Sequence, residues 1–181
     1  MNIVILGAGQ AAASLAAKLR ALGHKGGITV IGEEPVAPYQ RPPLSKAYLL
    51  GEMDEERLTL RAPEWWAENG IVLRLGERVT GIDPASRTVT TDKGSHAYDA
   101  LALTLGATPR RLPAAMGGHL PGVNVVRNIA DIQTAKPMLL PGRRLVVIGG
   151  GYIGLEAAAV ARKLGLEVTL VEAAPRILGR V

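Results

Sequence analysis

Short apolar runs that end in glycine, each followed by a stretch rich in Ala and Leu, occur twice along this chain. Asn2 to Leu6 is apolar, ends at Gly7 and predicts a buried strand. Ala11 to Leu22 gains Lys18 and Arg20 toward its end and stops at Gly23, the pattern of a helix. Ile28 to Ile31 predicts the next strand, so residues 2–31 form a β-α-β unit. The same order returns late. Arg144 to Ile148 predicts a strand, Ile153 to Leu164 a helix with small residues on one face, and Glu167 to Val171 another strand.

Between the two units the texture changes several times. "GEEPVAPYQRPPLSK" carries four prolines, which exclude a sheet interior and predict an ordered, extended loop. Pro43 opens a short helix running through Ala47 to Leu50. A second short helix is expected at Pro63 to Asn69, closed by Gly70, and a strand at Ile71 to Leu75. From Arg78 to Thr104 the pattern is one of hairpins, with strands at Arg78 to Asp83, Thr88 to Thr91 and Ala100 to Thr104 and turns at "DPAS" and "DKGS". Residues 107–122 hold three prolines and three glycines and read as a linker. A helix from about Ala130 to Leu140 leads to "PGRR", a candidate domain boundary. The expected division is 1–110, a connecting segment 111–141, and 142–181.

Each repeated unit places a glycine-rich turn between strand and helix. Gly7, Gly9 and Ala12 occupy the G-x-G-x-x-(G/A) positions of the first, and Gly149, Gly151 and Gly154 those of the second. The first glycine permits the tight turn, the second lets backbone approach a pyrophosphate, and the third small residue lets helix pack on strand. The helix N-terminus then offers N–H groups and a positive dipole end to phosphate. Glu172 ends the last strand of the second unit, where a carboxylate bonds both ribose hydroxyls and repels a 2'-phosphate, favouring NAD(H) over NADP(H). In the first unit Gly32 holds that place, so Glu33 or Glu34 must reach the ribose, with Glu33 preferred. Two dinucleotide sites in one chain imply electron traffic between two cofactors, typically a flavin and a nicotinamide.

Composition narrows the alternatives. With 181 residues, 48% hydrophobic, and 3% aromatic with no Phe, the core must be built from Val, Leu, Ile and Ala. The net charge of +5 suits an acidic partner. Basic residues form no long runs, only pairs such as Arg110-Arg111 and Arg143-Arg144, without interleaved aromatics, which argues against nucleic acid. The absence of cysteine excludes disulfides, thiolate metal sites, CxxC redox pairs and a catalytic thiol. The three histidines lack ligand spacing, so no metal site is expected. No apolar run reaches the roughly 18 residues of a membrane span, and no targeting segment is visible, so a cytoplasmic protein is expected.

The segments "GAGQAAASL", "VIGEEPVAPYQRPPLSKAYL", "YDALALTLGATPR" and "VVIGGGYIGLEAAAVARKLGLEVTLVEAAPRIL" resemble the FAD-dependent pyridine nucleotide oxidoreductase superfamily. "PYQRPPLSK" is similar to the ferredoxin reductases of the putidaredoxin reductase and biphenyl dioxygenase reductase type. The resemblance implies an α/β fold: a Rossmann-like FAD-binding domain with a β-hairpin insertion, followed by the start of a second Rossmann-like, NAD-binding domain. It implies that Gly7, Gly9, Ala11 and Glu33 hold the ADP half of FAD and that Arg41 and Lys46 lie along the flavin. Val79, Gly106 and Arg127 complete that site, and Gly149, Gly151, Tyr152, Ile153, Gly154, Glu156 and Glu172 form the NADH side. Lys46 and Glu156 are the implied catalytic pair. On residue type alone, Lys46 also reads as a solvated first-turn residue, Arg127 as a surface charge, and Glu156 as a partner of Arg162 or Lys163. The family's Ala-Thr-Gly turn is here Thr104-Leu105-Gly106.

The implied function is that of an NADH-dependent ferredoxin reductase that passes single electrons to a [2Fe–2S] ferredoxin serving a cytochrome P450 or a ring-hydroxylating dioxygenase. Alternatives are a relative that reduces rubredoxin, nitrite or a quinone, and a non-catalytic dinucleotide-binding module. The family resemblance implies a chain about twice this length, so the sequence is expected to be the N-terminal portion of such a reductase, with its second nucleotide-binding domain incomplete.

Overall fold

The computed structural model describes residues 1–179. In chain order its elements are β1 (Ile3–Leu6), α1 (Gln10–Ala21), β2 (Ile28–Gly32), α2 (Ala47–Leu50), α3 (Glu55–Leu58), α4 (Pro63–Glu68), β3 (Ile71–Leu75), β4 (Val79–Asp83), β5 (Thr88–Thr91), β6 (Ser95–Ala97), β7 (Ala100–Leu103), α5 (Ile129–Ala135), β8 (Arg144–Ile148), α6 (Tyr152–Lys163) and β9 (Glu167–Val171). Two sets of residues each pack on themselves: Met1–Gln40 with Leu58–Ala107, and Arg41–Arg57 with Thr108 onward.

The first unit is built on a parallel sheet in the order β3-β2-β1-β7. Ile3 of β1 lies opposite Ile28 on one side and Ala100 on the other. All four residues of β1 are buried, as a parallel strand covered on both faces requires. Ile3 and Ile5 pack with Ala12, Ala13 and Ala16 of α1 and with Trp66 of α4. Val4 and Leu6 point the other way and meet Ile31 and Val89, the latter from the antiparallel sheet β4-β5-β6. Each of these aliphatic side chains contributes about 1.5–3 kcal/mol on burial, so the alternation within "IVIL" fixes a helix on one face and a hairpin sheet on the other. Arg20 closes the helical face. Its guanidinium donates to the carbonyls of His24, Gly26, Asn69 and Gly70 at 2.7–2.9 Å, joining the ends of α1 and α4.

Two features of this unit differ from the sequence-based expectation. Ala100–Leu103 is no hairpin arm but the outer strand of the parallel sheet, because Leu101 joins the Val4 and Leu6 cluster. Ser95–Ala97 forms an extra strand on β5, too short and polar to show as a hydrophobic pattern.

A buried polar cluster supports the hairpin sheet. Glu77 is only 5% exposed, and its Oε1 accepts from Thr91 Oγ1 at 2.7 Å and His96 Nε2 at 2.6 Å. Burial opposes ionisation. The bonds from Thr91 and His96, with the charges of His96 and Arg74, outweigh it and hold the carboxyl below its ordinary 4.5. A depressed folded pKa gives stability that is fully present above the unfolded value and lost as pH falls through the folded one. Glu77→Gln should therefore cost about 2 kcal/mol near neutrality. The gap between variant and parent melting temperatures should shrink as pH falls below 4.5, which thermal melts across an acid pH series would read.

In the second unit β8 and β9 pair in parallel, with Arg144 opposite Glu167, and α6 connects them. Helix α5 starts in a capping box, Asn128 Oδ1 accepting from Asp131 N–H and Asp131 Oδ2 from Asn128 N–H. The expected run to Leu140 is cut to Ala135, with a 3-10 turn at Lys136–Met138. Pro137 lacks an N–H, and its ring obstructs the preceding turn. The expected helix from Pro43 to Leu50 is likewise two pieces, a 3-10 turn at Pro42–Ser45 and α2, with Lys46 at the break in a non-helical conformation. Among the described residues, no helix is long and apolar enough to cross a membrane.

Candidate functional site

The two glycine-rich turns have matching local architecture. Gly7 has φ +96° and Gly149 φ +105°, both in the region that favours glycine. Gly9 and Gly151 are extended N-cap residues whose helices receive no side-chain cap, and a Cβ at either would meet nothing within 4 Å. Among the described residues no side chain caps the first N–H groups of α1 and α6, and space is open at the glycine that precedes each helix. That is the cradle a pyrophosphate requires, because the amides are unpaired and the second glycine lets a ligand approach the backbone. At the third small position a Cβ on Gly154 would press into the carbonyl of Gly149, 3.2 Å from its carbon, so only glycine lets α6 sit this close to β8. Ala12 is fully buried at the matching place on α1, and Ala11 is exposed beside it.

The acidic positions are distinct in their surroundings. Glu34 Oε2 accepts from Tyr39 Oη at 2.6 Å, whereas Glu33 is exposed and meets Arg78 at 2.7 Å. Gly32 stands where the second unit has its glutamate because its α-carbon abuts the first turn. A Cβ there would drive into Ala8 Cβ, 3.3 Å from the Ala8 nitrogen. In the second unit Glu172 reaches back to the turn: Oε2 accepts from Gly150 N–H at 2.6 Å and Oε1 from Ala174 N–H at 2.8 Å. Gly150, the middle of "GGG", is a residue the motif reading passed over. A Cβ there would lie 2.9 Å from Ile177 Cγ2 and 3.2 Å from Glu172 Oε2.

Within the second unit the structure joins the two residues singled out as a catalytic pair. Lys46 Nζ lies 2.7 Å from Glu156 Oε2, and Ser45 Oγ donates to the same oxygen at 2.6 Å. Lys46 also donates to the Pro42 carbonyl at 3.2 Å. The helix partner available to Glu156, Arg162, instead donates to the Leu166 carbonyl at the far end of α6. Burial works against the Glu156 carboxylate, but the bonds from Lys46 and Ser45 and the ammonium charge hold its pKa below the ordinary carboxylate value. Arg41 Nη1 donates to the Arg127 carbonyl at 2.7 Å, bringing these two predicted residues together, while Asp131 accepts from the Arg127 N–H. Tyr152 and Ile153 are exposed at the start of α6. Val79 opens β4 in the first unit, and Gly106 has φ +69° in the segment that follows β7.

Ser45 had no sequence signal beyond its place in "PLSK". Thr104 is a second such residue. Its hydroxyl contacts the carbonyls of Leu6 and Gly7, each at 2.9 Å, so it supplies a polar tie to the first turn where the family pattern has Ala-Thr-Gly.

The model of the pyridine nucleotide-disulphide oxidoreductase family matches residues 1–181. The chain belongs to that family. Relatives within it include a rhodocoxin reductase of Rhodococcus erythropolis, 46% identical over 181 residues, covering 99% of this chain and 42% of the relative. A rubredoxin-NAD(+) reductase of Pseudomonas putida is 42% identical over 182 residues, covering 100% of this chain and 47% of the relative. The crystal structure of a covalent putidaredoxin reductase–putidaredoxin complex superposes with a TM-score of 0.94 at 43% identity, over 99% of this chain and 44% of that one. This chain thus spans less than half the length of these relatives. The family is one of oxidoreductases, and the superposition agrees with the Rossmann-like α/β fold and the ferredoxin reductase likeness expected from the sequence. Its pyridine nucleotide chemistry accords with the pairing of FAD and a nicotinamide dinucleotide drawn from the two glycine-rich units.

Proposed function

We propose that this chain carries the cofactor-binding part of an NADH-dependent, FAD-containing ferredoxin reductase. The observation that carries the reading is the Lys46–Glu156 pair, which joins the proline-rich segment to the helix of the second glycine-rich unit. In this assignment residues 1–110 form the first segment of the FAD-binding domain, 111–141 connect, and 142–181 belong to the NAD-binding domain. Gly7, Gly9, Ala11 and Glu33 hold the ADP half of FAD, with Val79, Gly106, Arg41 and Arg127 along the rest of it. Gly149, Gly151, Gly154, Tyr152, Ile153 and Glu172 receive NADH. The open cradles at Gly9 and Gly151 fit two pyrophosphates.

A bound flavin would supply hydride acceptance from NADH and single-electron release. The chain's own residues bind and orient. Lys46, held by Glu156 and Pro42, is a fixed cation that stabilises negative charge beside it. Glu172, oriented by two backbone N–H bonds, stands at the strand end where a carboxylate meets a ribose diol and repels a 2'-phosphate. The acceptor is a [2Fe–2S] ferredoxin, in line with the putidaredoxin bound in the superposed complex. The net charge of +5 favours an acidic docking partner. The rubredoxin-NAD(+) reductase relative makes rubredoxin the second acceptor to test. Reliance on NADH and a ferredoxin acceptor fits a cytoplasmic protein.

The purified chain should bind FAD, turn yellow, and bleach on anaerobic addition of NADH at least about tenfold faster than with NADPH. A [2Fe–2S] ferredoxin should then restore the colour faster than rubredoxin. A colourless protein that takes up no FAD would overturn the reading, and faster reoxidation by rubredoxin would replace its acceptor.

A further inference from the structure

Glu33 is the proposed ribose acceptor of the first unit, and its surroundings assign a role to a residue outside the glycine-rich motif. Arg78 Nε and Nη2 both donate to Glu33 Oε1, at 2.9 and 2.7 Å. The fork thus engages one oxygen and leaves Oε2 for another donor. Both side chains are 65% exposed, and an ion pair this open to water adds little to folding stability. A stabilising role therefore does not account for the arrangement.

The backbone that carries Arg78 is held far more firmly than its side chain. On one side, Gly76 N–H donates to the Glu34 carbonyl and Glu77 N–H to the Gly32 carbonyl, so residues 76–77 grip both neighbours of Glu33. On the other side, Arg78 N–H donates to Asp92 Oδ1 and Asp92 N–H donates back to the Arg78 carbonyl, both at 2.9 Å. Between them the buried Glu77 carboxylate is fixed by Thr91 of β5 and His96 of β6. The hairpin sheet and the end of β2 therefore clamp residues 76–78 from both sides. A long arginine side chain rooted in that clamp reaches Glu33 from a fixed origin.

We propose that Arg78 is a positioning residue for the adenosine end of the first dinucleotide. It holds Oε1 of Glu33 so that Oε2 is presented to a ribose hydroxyl, and the hairpin sheet is the support that keeps it there. The inference rests on Glu33 acting as the ribose acceptor. The ligand class is a flavin dinucleotide carrying an adenosine. A flavin mononucleotide, which lacks that ribose, gains nothing from the arrangement.

Titration calorimetry of the chain with FAD and, separately, with FMN tests this. Arg78→Gln should weaken FAD binding by about fivefold to tenfold, the loss of one oriented charged hydrogen bond, and leave FMN binding and the melting temperature unchanged. Glu33→Gln should weaken FAD at least as much, and the double variant should be no weaker than Glu33→Gln alone. Arg78→Lys, a point charge without the fork, should recover part of the loss. If Arg78→Gln leaves FAD binding intact, weakens FMN equally, or adds in full to Glu33→Gln, the positioning role is overturned. If Glu33→Gln itself has no effect, the ribose assignment falls and takes the proposal with it. That outcome is distinct from failure of Arg78 alone, as is a parent chain that binds no FAD.

Discussion

Gly7→Ala should cost the fold, whereas Gly9→Ala should leave the fold intact and cost the dinucleotide. The two glycines are neighbours in one motif, but they face different constraints. Gly7 turns the chain out of β1 with φ +96°, and a Cβ there would run into the Thr104 carbonyl, 2.8 Å from its carbon and 3.1 Å from Leu105 Cα. Both obstacles are backbone, pinned to the turn by the Thr104 N–H bond to Leu6 and the Thr104 hydroxyl. The left-handed conformation and the collision together should cost about 3 kcal/mol or more. In a chain of this size that is a fall in Tm of roughly 6–12 °C. Gly9 sits at φ −110° and ψ −164°, open to any residue, with nothing within 4 Å of a Cβ. Its alanine variant should lose no more than about 1 kcal/mol of stability. The added methyl occupies the approach to the helix N-terminus, and FAD affinity should drop at least about tenfold. Melting curves and FAD titrations of the two variants separate these effects. Equal melting temperatures for both would show that the Thr104 carbonyl yields. Unchanged FAD affinity in Gly9→Ala would remove the pyrophosphate from this loop.

Sequence patterns revealed what is local. The apolar run "IVIL", the Ala-rich helix after it and the glycine spacing each depend on residues within a turn or two. The structure has these elements within a residue or so of the expected bounds. Pro137 is itself the local signal that ends α5 early, since a helix interior does not accept it. What stayed hidden depends on pairing across the chain. β7 resembles a hairpin arm in isolation and becomes a parallel strand only because β1 is there to receive it. Ser45 and Glu156 are 111 positions apart, and nothing near "PLSK" shows that a helix will bring a carboxylate to it. Arg78 and Glu33, 45 apart, meet for the same reason: the end of β2 and the residues before β4 are tied by backbone bonds that carry no side-chain signature. The motif indicated which carboxylate matters without showing what orients it.

Lys46→Met should lower the rate of NADH-driven flavin bleaching by about a hundredfold, the usual loss when a fixed electrostatic donor is removed from a reacting centre. Glu156→Gln should cost less, about tenfold, if its part is to hold the ammonium. The amide retains a hydrogen-bonding oxygen but not the charge that fixes Lys46 at 2.7 Å. The Lys46→Met and Glu156→Gln double variant should be no slower than Lys46→Met, because the two residues act as one unit. Ser45 refines the test. It is 3% exposed and donates to Glu156 Oε2, so Ser45→Ala removes one of the bonds that lower the Glu156 pKa and leaves the burial that raises it. The carboxyl should then titrate at higher pH than in the parent, and bleaching should weaken at a correspondingly higher pH on the acid side. The stability contribution has the same sign. With its folded pKa depressed, Glu156 stabilises above the unfolded carboxyl value and loses that contribution as pH falls through the folded one. Lys46 is 50% and Glu156 29% exposed, so solvent screening limits the pair to about 0.5–1 kcal/mol of folding stability. A hundredfold kinetic loss alongside so small a change in Tm would place the pair in the chemistry. Additive losses in the double variant would separate the two residues, and a loss that tracked Tm would make the pair a structural bridge between the proline-rich segment and α6.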